Sequence, residues 1–509
     1  MSPVTDETKS TPHSHSQHAE VATSLRNAIK LGGSLVMTLV IGFGVRVALR
    51  RYLGPTVIGP VNFADAFSAV GFVFVGLGVD THIRKVVPVR LESASEFLGA
   101  VLVIRLLVSG VVFIVMAAVL HLMGQPPEVR DLVWAYGAAQ AAMSVNQTFV
   151  ALLQSARTVD GLSVTNVLSK LVWAVGFVAT MAFGWPLVGV PLSVFASEVL
   201  RAIVGWYLVK KHLKLEFRVD WAQVRPTLRA SFAFYLNAVA LVVVNRFDVN
   251  VLKVRADDTE IGLYSAAAEM AQLTFVMTPM LPGVVMPLFA RTLASGPEAY
   301  YRLVRRTLEL VLVLSFPISL GIAVGSDVWV RLVYGAQYMN ASWALSILGP
   351  SFLLTYISVI SAIALNMSGG EWTVTVTSLL SMVVNPLLVI SLVSLAKRWG
   401  WPEGGAGAAC AMASITTESL VLVAMFYRLG VSVWDARLVK VLLKSLAVSL
   451  AVFAVDRAFL TTLGPARVVV DAVLYVVLVM ASGAVALKET VAFAKTLRRG
   501  RGAPEPQVG

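Results

Sequence analysis

Fourteen apolar stretches of roughly 20 residues follow one another along this chain, the length an α-helix needs to cross a bilayer core. They lie near 28–49, 58–79, 97–120, 132–154, 162–183, 186–209, 230–251, 261–290, 307–326, 341–366, 372–396, 405–427, 438–456 and 464–487. The segments between them are short. The longest, Lys210 to Arg229, is too short for a soluble domain. The runs are continuous and not alternating, which excludes a β-barrel. Composition agrees. Of 509 residues, 57% are hydrophobic and 14% charged, where a soluble domain carries about 25% charged. The fold class expected is all-α integral membrane, with hydrocarbon as the main solvent.

The formal net charge is +12, from 41 Lys+Arg against 29 Asp+Glu. In a soluble protein that balance would suggest nucleic acid. Here it is the excess of basic residues that cytoplasmic loops carry, so no nucleic-acid partner is expected. Placing the N-terminus inside puts the majority of Lys and Arg in cytoplasmic segments and both termini in the cytoplasm. Arg46, Arg50 and Arg51 resist this pattern, clustering near the outer end of the first span. The chain opens on a polar stretch, so the first span itself is expected to act as the membrane signal. A single cysteine, Cys410, rules out an intrachain disulfide and a cysteine metal cluster.

A short internal repeat orders the spans. Ile58-Gly59-Pro60-Val61-Asn62-Phe63-Ala64-Asp65 echoes Ile261-Gly262-Leu263-Tyr264-Ser265-Ala266-Ala267-Ala268-Glu269, 203 residues later. Asp65 and Glu269 each lie about two turns in, one position out of register. Six spans separate the copies, which predicts two six-helix lobes and two C-terminal helices. The domain reading is a disordered cytoplasmic tail over 1–27, an N-lobe over 28–209, a linker over 210–229, a C-lobe over 230–427, helices 13 and 14 over 438–487, and a basic tail over 488–509. Repeats of this kind build central sites in many transporters.

Several chemistries are missing. The chain has no Gly-Lys dipeptide, hence no phosphate loop of the Walker type, and no HExxH zinc motif. Gly404-Gly405-Ala406-Gly407-Ala408-Ala409 resembles a nucleotide fingerprint but opens a membrane span, so close helix packing is expected. His13, His15 and His18 sit in the polar tail; a metal site there is the weaker reading. No metal and no cofactor is expected, with H+ or Na+ coupling kept open. No outside loop is long, and the first, Arg51–Thr56, has no acid, which argues against a membrane glycosyltransferase.

Charges inside the spans are the informative ones: Asp65, Arg105, Lys170, Glu198, Arg201, Arg246, Asp248, Glu269 and Glu418. Each costs roughly 2.5–3.5 kcal/mol at a bilayer centre if it faces lipid. They must face protein or a watery cavity. Glu198 and Arg201, at i and i+3, are placed to neutralise each other. Arg246 and Asp248, two apart, point to different sides of the seventh span. Lys170 is expected to snorkel. Arginine suits phosphate because its planar fork donates two hydrogen bonds and keeps its charge. Arg46, Arg105, Arg201 and Arg246 are therefore the candidate cavity cations for a pyrophosphate. Asp65, Asp248 and Glu269 are the candidate cavity or ion-coupling carboxylates.

Several segments then resemble the polysaccharide transporter family. Tyr52-Leu53-Gly54-Pro55-Thr56-Val57-Ile58-Gly59, continuing to Gly76-Leu77-Gly78-Val79-Asp80, is similar to its junction between the first two helices. Phe247-Asp248-Val249-Asn250 through Ile261-Gly262-Leu263-Tyr264-Ser265-Ala266-Ala267 resembles its seventh-to-eighth helix pattern, followed by Met286-Pro287-Leu288-Phe289-Ala290. Tyr334-Gly335-Ala336-Gln337-Tyr338 resembles its loop before the tenth helix, and Gly405-Ala406-Gly407-Ala408-Ala409 its twelfth-helix start. In this order the segments cover most of the chain and resemble a Wzx-type flippase of the MOP superfamily.

The resemblance implies two lobes around a central cationic cavity, lined by the first, second, seventh and eighth helices. That promotes Arg46, Asp65, Arg246, Asp248 and Glu269 over the other charges. It also implies transport of an undecaprenyl-pyrophosphate-linked oligosaccharide across the bacterial inner membrane by alternating access, for O-antigen, capsule or exopolysaccharide. Its partners would be that lipid-linked substrate, membrane lipids and a polysaccharide polymerase or export machinery. The alternative is a multidrug or cation antiporter of the same fold, which would use Asp248.

Overall fold

The computed structural model describes residues 12–87, 94–155, 160–213, 221–430 and 433–483. Every regular element among them is helical. Nine are long and apolar enough to cross a membrane among the described residues. One of the nine, Val36–Gly76, is 41 residues long. At 1.5 Å per residue it would reach about 60 Å if straight, twice a bilayer core of about 30 Å. It belongs to α1 (Pro12–Gly76) and is broken at Gly54, where φ is 77° and ψ 170°. That φ favours glycine, and Pro55 follows. A second overlong run, Ala436–Ala481, is broken at Gly464.

The chain divides into two compact units. The first comprises 1–48 and 68–238, and holds the start of α1, α2 (Val79–Val86), α3 (Ala94–Leu122), α4 (Pro127–Ser155), α5 (Asp160–Ala182), α6 (Gly189–Leu213) and the first half of α7 (Trp221–Arg255). Its core gathers Ile83, Leu98, Leu152, Leu153 and Val209. In α3 the lipid solvent inverts the soluble pattern: Leu106 and Ile114 are more than 70% exposed while Arg105 is 1% exposed.

The second unit comprises 49–67 and 239–509. It adds α8 (Asp258–Leu273), α9 (Leu281–Ala294), α10 (Pro297–Val324), α11 (Ser326–Val333), α12 (Ala341–Leu348), α13 (Ser351–Met367), α14 (Glu371–Arg398), α15 (Gly405–Leu429), α16 (Ala436–Val455) and α17 (Arg467–Ala481). Phe289, Tyr300, Leu308, Ile360 and Val452 form part of its core, and the Tyr300 hydroxyl donates to the Ala364 carbonyl at 2.7 Å.

Several boundaries differ from the sequence reading. Residues 49–67, assigned there to the N-lobe, cluster with the second unit, because glycines let that turn approach α8 closely. The span near 261–290 is not one helix: a 3-10 turn over Thr274–Met280 separates α8 from α9, at Pro279 and Pro282. The span near 341–366 is two helices, interrupted at Gly349 and Pro350. Pro lacks the amide that would continue the ladder. Pro317 and Pro386 are carried inside α10 and α14. Helix α1 reaches back to Pro12, into the expected tail, and α7 begins at Trp221, inside the expected linker. Residues 1–11, the segment 484–509 and the tail histidine side chains lie outside what is described.

Candidate functional site

The repeat recognised in the sequence closes on itself in the second unit. The Oγ1 atoms of Thr56 and Thr259 are 2.9 Å apart, and the two residues are 203 positions apart. A Cβ added at Gly59 would lie 2.0 Å from the Asp258 carbonyl oxygen, and one added at Gly262 would lie 2.0 Å from that of Pro55. Gly59 and Gly262, and likewise Pro55 and Asp258, are related by the same offset. The two copies therefore meet about a local two-fold axis between Thr56 and Thr259. Only glycine permits the backbones to come this close.

Side chains fasten this seam. Arg51 Nε donates to the Val333 carbonyl at 2.7 Å, and Gln337 Nε2 donates to the Arg51 carbonyl at 2.9 Å. Lys253 Nζ is 2.6 Å from Asp258 and 5.5 Å from the Phe63 ring centroid. Arg50, 6% exposed, donates from Nε and Nη2 to Glu269 Oε2 at 3.0 and 2.9 Å. Its guanidinium lies 5.6 Å from the Tyr334 ring. Tyr338 is fully buried. Burial pushes its phenol up to about 12, against the opposing pull of the Arg50 guanidinium, so it is neutral at ordinary pH.

Further along the helices the charges stop following the two-fold. Arg246 Nη1 pairs with Asp65 Oδ2 at 3.1 Å, and their side chains are 44% and 33% exposed. Asp248 is buried; it accepts from the Tyr264 hydroxyl and from the Val249 amide at 2.8 Å. Arg246 and Asp248 thus serve different sides of α7, as their spacing requires. Tyr264 is placed by α8, which Asp257 caps by accepting from the Glu260 amide at 2.9 Å. Glu260 in turn accepts from the Gly404 and Gly407 amides at 2.5 and 2.9 Å, seating a negative charge at the N-terminus of α15. The glycine run is a close packing face, as expected: a Cβ on Gly407 would be 3.1 Å from that of Tyr264.

The structure brings Asp65, Arg246, Asp248 and Glu269 together in the second unit, with Arg50 as the added cation. Arg50 is the residue that sequence reasoning passed over in favour of Arg46, one turn earlier in α1. Arg46 lies in the first unit and is exposed. Arg105 and Arg201 also lie in the first unit. Arg105 is a buried clamp: it pairs with Asp80 at 2.7 Å and donates to Thr148 at 2.7 Å, to the Gly76 carbonyl at 3.3 Å and to the Ser144 carbonyl. Arg201 pairs with Glu198 at 3.2 Å and donates to Asn166 at 3.1 Å, while Glu198 accepts from Asn146 at 2.7 Å. Lys170 Nζ sits 4.8 Å from the Trp173 ring centroid, and Glu418 accepts from Thr355. No group of three His, Cys, Asp or Glu side chains among the described residues could hold a metal.

Known proteins resemble this chain in sequence and in fold. The profile of a family described as "Polysaccharide biosynthesis protein" matches residues 24–293. Over 250 residues the chain is 21% identical to a probable low-salt glycan biosynthesis flippase, Agl15, of Haloferax volcanii; the match covers 48% of this chain and 52% of that protein, so it spans about half the relative's length. Among solved structures, the lipid II flippase MurJ in an inward closed conformation is similar with a TM-score of 0.68 and 13% identity, over 91% of this chain and all of that one. An inward-facing multidrug resistance MATE transporter of the MOP superfamily gives 0.59 and 13%, over 77% and 99%. A MOP superfamily transporter from Pyrococcus furiosus gives 0.56 and 12%, over 80% and 96%. At these identities the likeness is one of fold.

Proposed function

The chain belongs to that family of polysaccharide biosynthesis proteins and is a multi-pass membrane transporter, not an enzyme, and on this premise we propose that it moves an undecaprenyl-pyrophosphate-linked oligosaccharide from the cytoplasmic to the outer leaflet of a bacterial inner membrane. The product would feed O-antigen, capsule or exopolysaccharide assembly. The observation that carries this reading is the half-exposed Arg246–Asp65 pair. A pyrophosphate offers oxygens that compete with one carboxylate for a guanidinium fork. Arg246 is reachable for that exchange and Asp65 can release it. Arg105 and Arg201, held by several internal acceptors, are packing residues here and not phosphate ligands. Arg50 is held by Glu269 and by the surrounding tyrosines, which suits it to locking the seam.

In this reading alternating access parts the seam at Thr56 and Thr259 and breaks the Arg50–Glu269 pair. Asp65, Asp248 and Glu269 are the carboxylates available for H+ or Na+ coupling. Both termini face the cytoplasm, following the excess of basic residues in the loops assigned inside.

The test deletes the gene and measures surface polysaccharide together with lipid-linked precursor. Complementation by Arg246→Ala is expected to fail, with partial rescue by Arg246→Lys. Precursor trapped on the cytoplasmic face supports the flippase. Normal polysaccharide with raised drug sensitivity overturns it and favours the cation antiporter. That alternative would draw on Asp248, buried against Tyr264.

A further inference from the structure

The last two helices hold a group of charges that the central site does not use. Helix α16 ends at Val455, the chain passes through a π turn over Asp456–Leu460 and a 3-10 turn over Thr461–Ala466, and α17 begins at Arg467. This folds Asp456, Arg467 and Asp471 onto one another, with Asp327 at the start of α11 beside them. Asp456 is 0% exposed, and Arg467 and Asp471 are each 3% exposed.

Arg467 is occupied elsewhere. Its Nη2 donates to Asp327 and to the Val324 carbonyl at 3.2 Å. Its Nε is 3.6 Å from Asp456 Oδ1, beyond hydrogen-bonding distance. None of the four carboxylate oxygens of Asp456 and Asp471 meets a donor. Yet the two side chains converge on one guanidinium: Asp471 follows Arg467 by one helical turn, on the same face of α17, and Asp456 lies 3.6 Å from Arg467 Nε, with Asp471 and Asp456 as mutual neighbours. Ionised carboxylates only accept, so two of them in contact repel and leave every oxygen unsatisfied. Three buried or half-buried carboxylates also face one guanidinium, and burying an uncompensated charge is strongly unfavourable. A single proton resolves both problems: the protonated carboxyl becomes the donor that its neighbour lacks.

We propose that Asp456 and Asp471 form a carboxyl pair that binds one exchangeable proton between the last two helices. Like-charged carboxylates that share a site bind a proton between them, and the pair titrates as a unit. Of the charges on and beside α10 and α16, Arg305 pairs with Asp435, Arg306 and Arg437 with Glu309, and Lys444 with the Ser482 carbonyl. Arg457 turns onto Phe453. The turn that carries Asp456 leads into Thr461, Thr462 and Leu463, which are exposed, a route by which the proton can exchange.

The full-length protein in lipid nanodiscs tests this by infrared difference spectroscopy, with a pH step from 6 to 9 and deuterium exchange to mark carboxylic acid bands. The expected result is a protonated-carboxyl band that loses one carboxyl equivalent in Asp471→Asn and in Asp456→Asn alike. Either amide can donate to the remaining carboxylate, so both variants should fold. Melting temperature supplies the second measurement. A proton held in the folded state but not in the unfolded chain stabilises at low pH and is lost as pH rises. The wild type should therefore lose stability as pH rises above the ordinary carboxylate range, and each Asn variant should lose less. An unchanged acid band in both variants, with an unchanged slope, would overturn the proposal. Neither readout depends on what the protein transports.

Discussion

Gly262→Ala offers the sharpest test of the geometry at the seam. The new Cβ would stand 2.0 Å from the Pro55 carbonyl oxygen, where ordinary contact begins at 3.4 Å. Backbone, not a flexible side chain, is the obstacle, so the two segments must separate by more than an ångström. Crowding of this kind costs about 1–3 kcal/mol. Set against a closed seam, that shifts its equilibrium roughly 5- to 150-fold toward opening. The assay is oxidative cross-linking of a Thr56→Cys/Thr259→Cys pair, whose parent hydroxyls are 2.9 Å apart. Cys410, the native cysteine, is buried and does not compete. Cross-linking should be fast in the parent and slower by on the order of tenfold with Gly262→Ala added. Gly59→Ala should do the same, since its Cβ meets Asp258 at the same distance. Gly44→Ala, which meets nothing within 4 Å, is the control. Equal cross-linking rates with and without Gly262→Ala would refute the close backbone approach and the two-fold built on it.

Other substitutions separate structural from exchangeable charges. Arg105→Ala should destabilise the protein by roughly 1–3 kcal/mol, because it leaves the half-buried Asp80 and the other acceptors of a buried guanidinium unpaired; thermal unfolding in detergent reads this, and Lys should rescue poorly since it lacks the fork that reaches several acceptors. Tyr264→Phe removes the side-chain donor to Asp248 and should cost about 1–3 kcal/mol in the same assay. Glu260→Ala leaves two α15 amides without an acceptor and should lower the melting temperature, with Gln recovering part of the loss. Tyr338 should contribute a constant stability up to about pH 10, lost as the pH climbs through its folded value of about 12; Tyr338→Phe should flatten that alkaline limb.

Much of this architecture could be read from residues alone, for a physical reason. Long apolar runs oblige helices in hydrocarbon, so fold class followed from pattern without any contact being known. The count of spans was harder to settle. The α8–α9 pair is divided into two short helices by its 3-10 turn, and the fourteen-span reading requires that pair, α4 and α7 all to cross. Breaks within spans were less legible still. Pro279 lies in the 3-10 turn that follows α8 and Pro282 in the first turn of α9, while Pro317 and Pro386 sit inside continuous helices. A prolyl residue removes one amide; whether the chain then bends depends on neighbours that only packing reveals. Choosing among arginines was hard for a related reason. Arg46 and Arg50 share a helix face, and nothing in the sequence distinguished the exposed one from the one that Glu269, 219 positions away, would hold.

The repeat itself carries the further lesson that backbone and charge obey different symmetries. Pro55, Thr56 and Gly59 find their counterparts in Asp258, Thr259 and Gly262 at one common offset, because two backbones can meet this closely only where side chains are small on both sides. Asp65 and Glu269 break that offset by one residue. A shift of one position rotates a helical side chain by about 100°, so the two carboxylates cannot face equivalent partners. Asp65 turns to a half-exposed Arg246, and Glu269 to a buried Arg50. A symmetric hinge with symmetric charges would hold the same ligand equally on both sides. A one-residue slip gives one side an exposed guanidinium and the other a buried one, and in the proposed flippase that is the minimum asymmetry with which a duplicated fold could grip an anion in one place and close a seam in another.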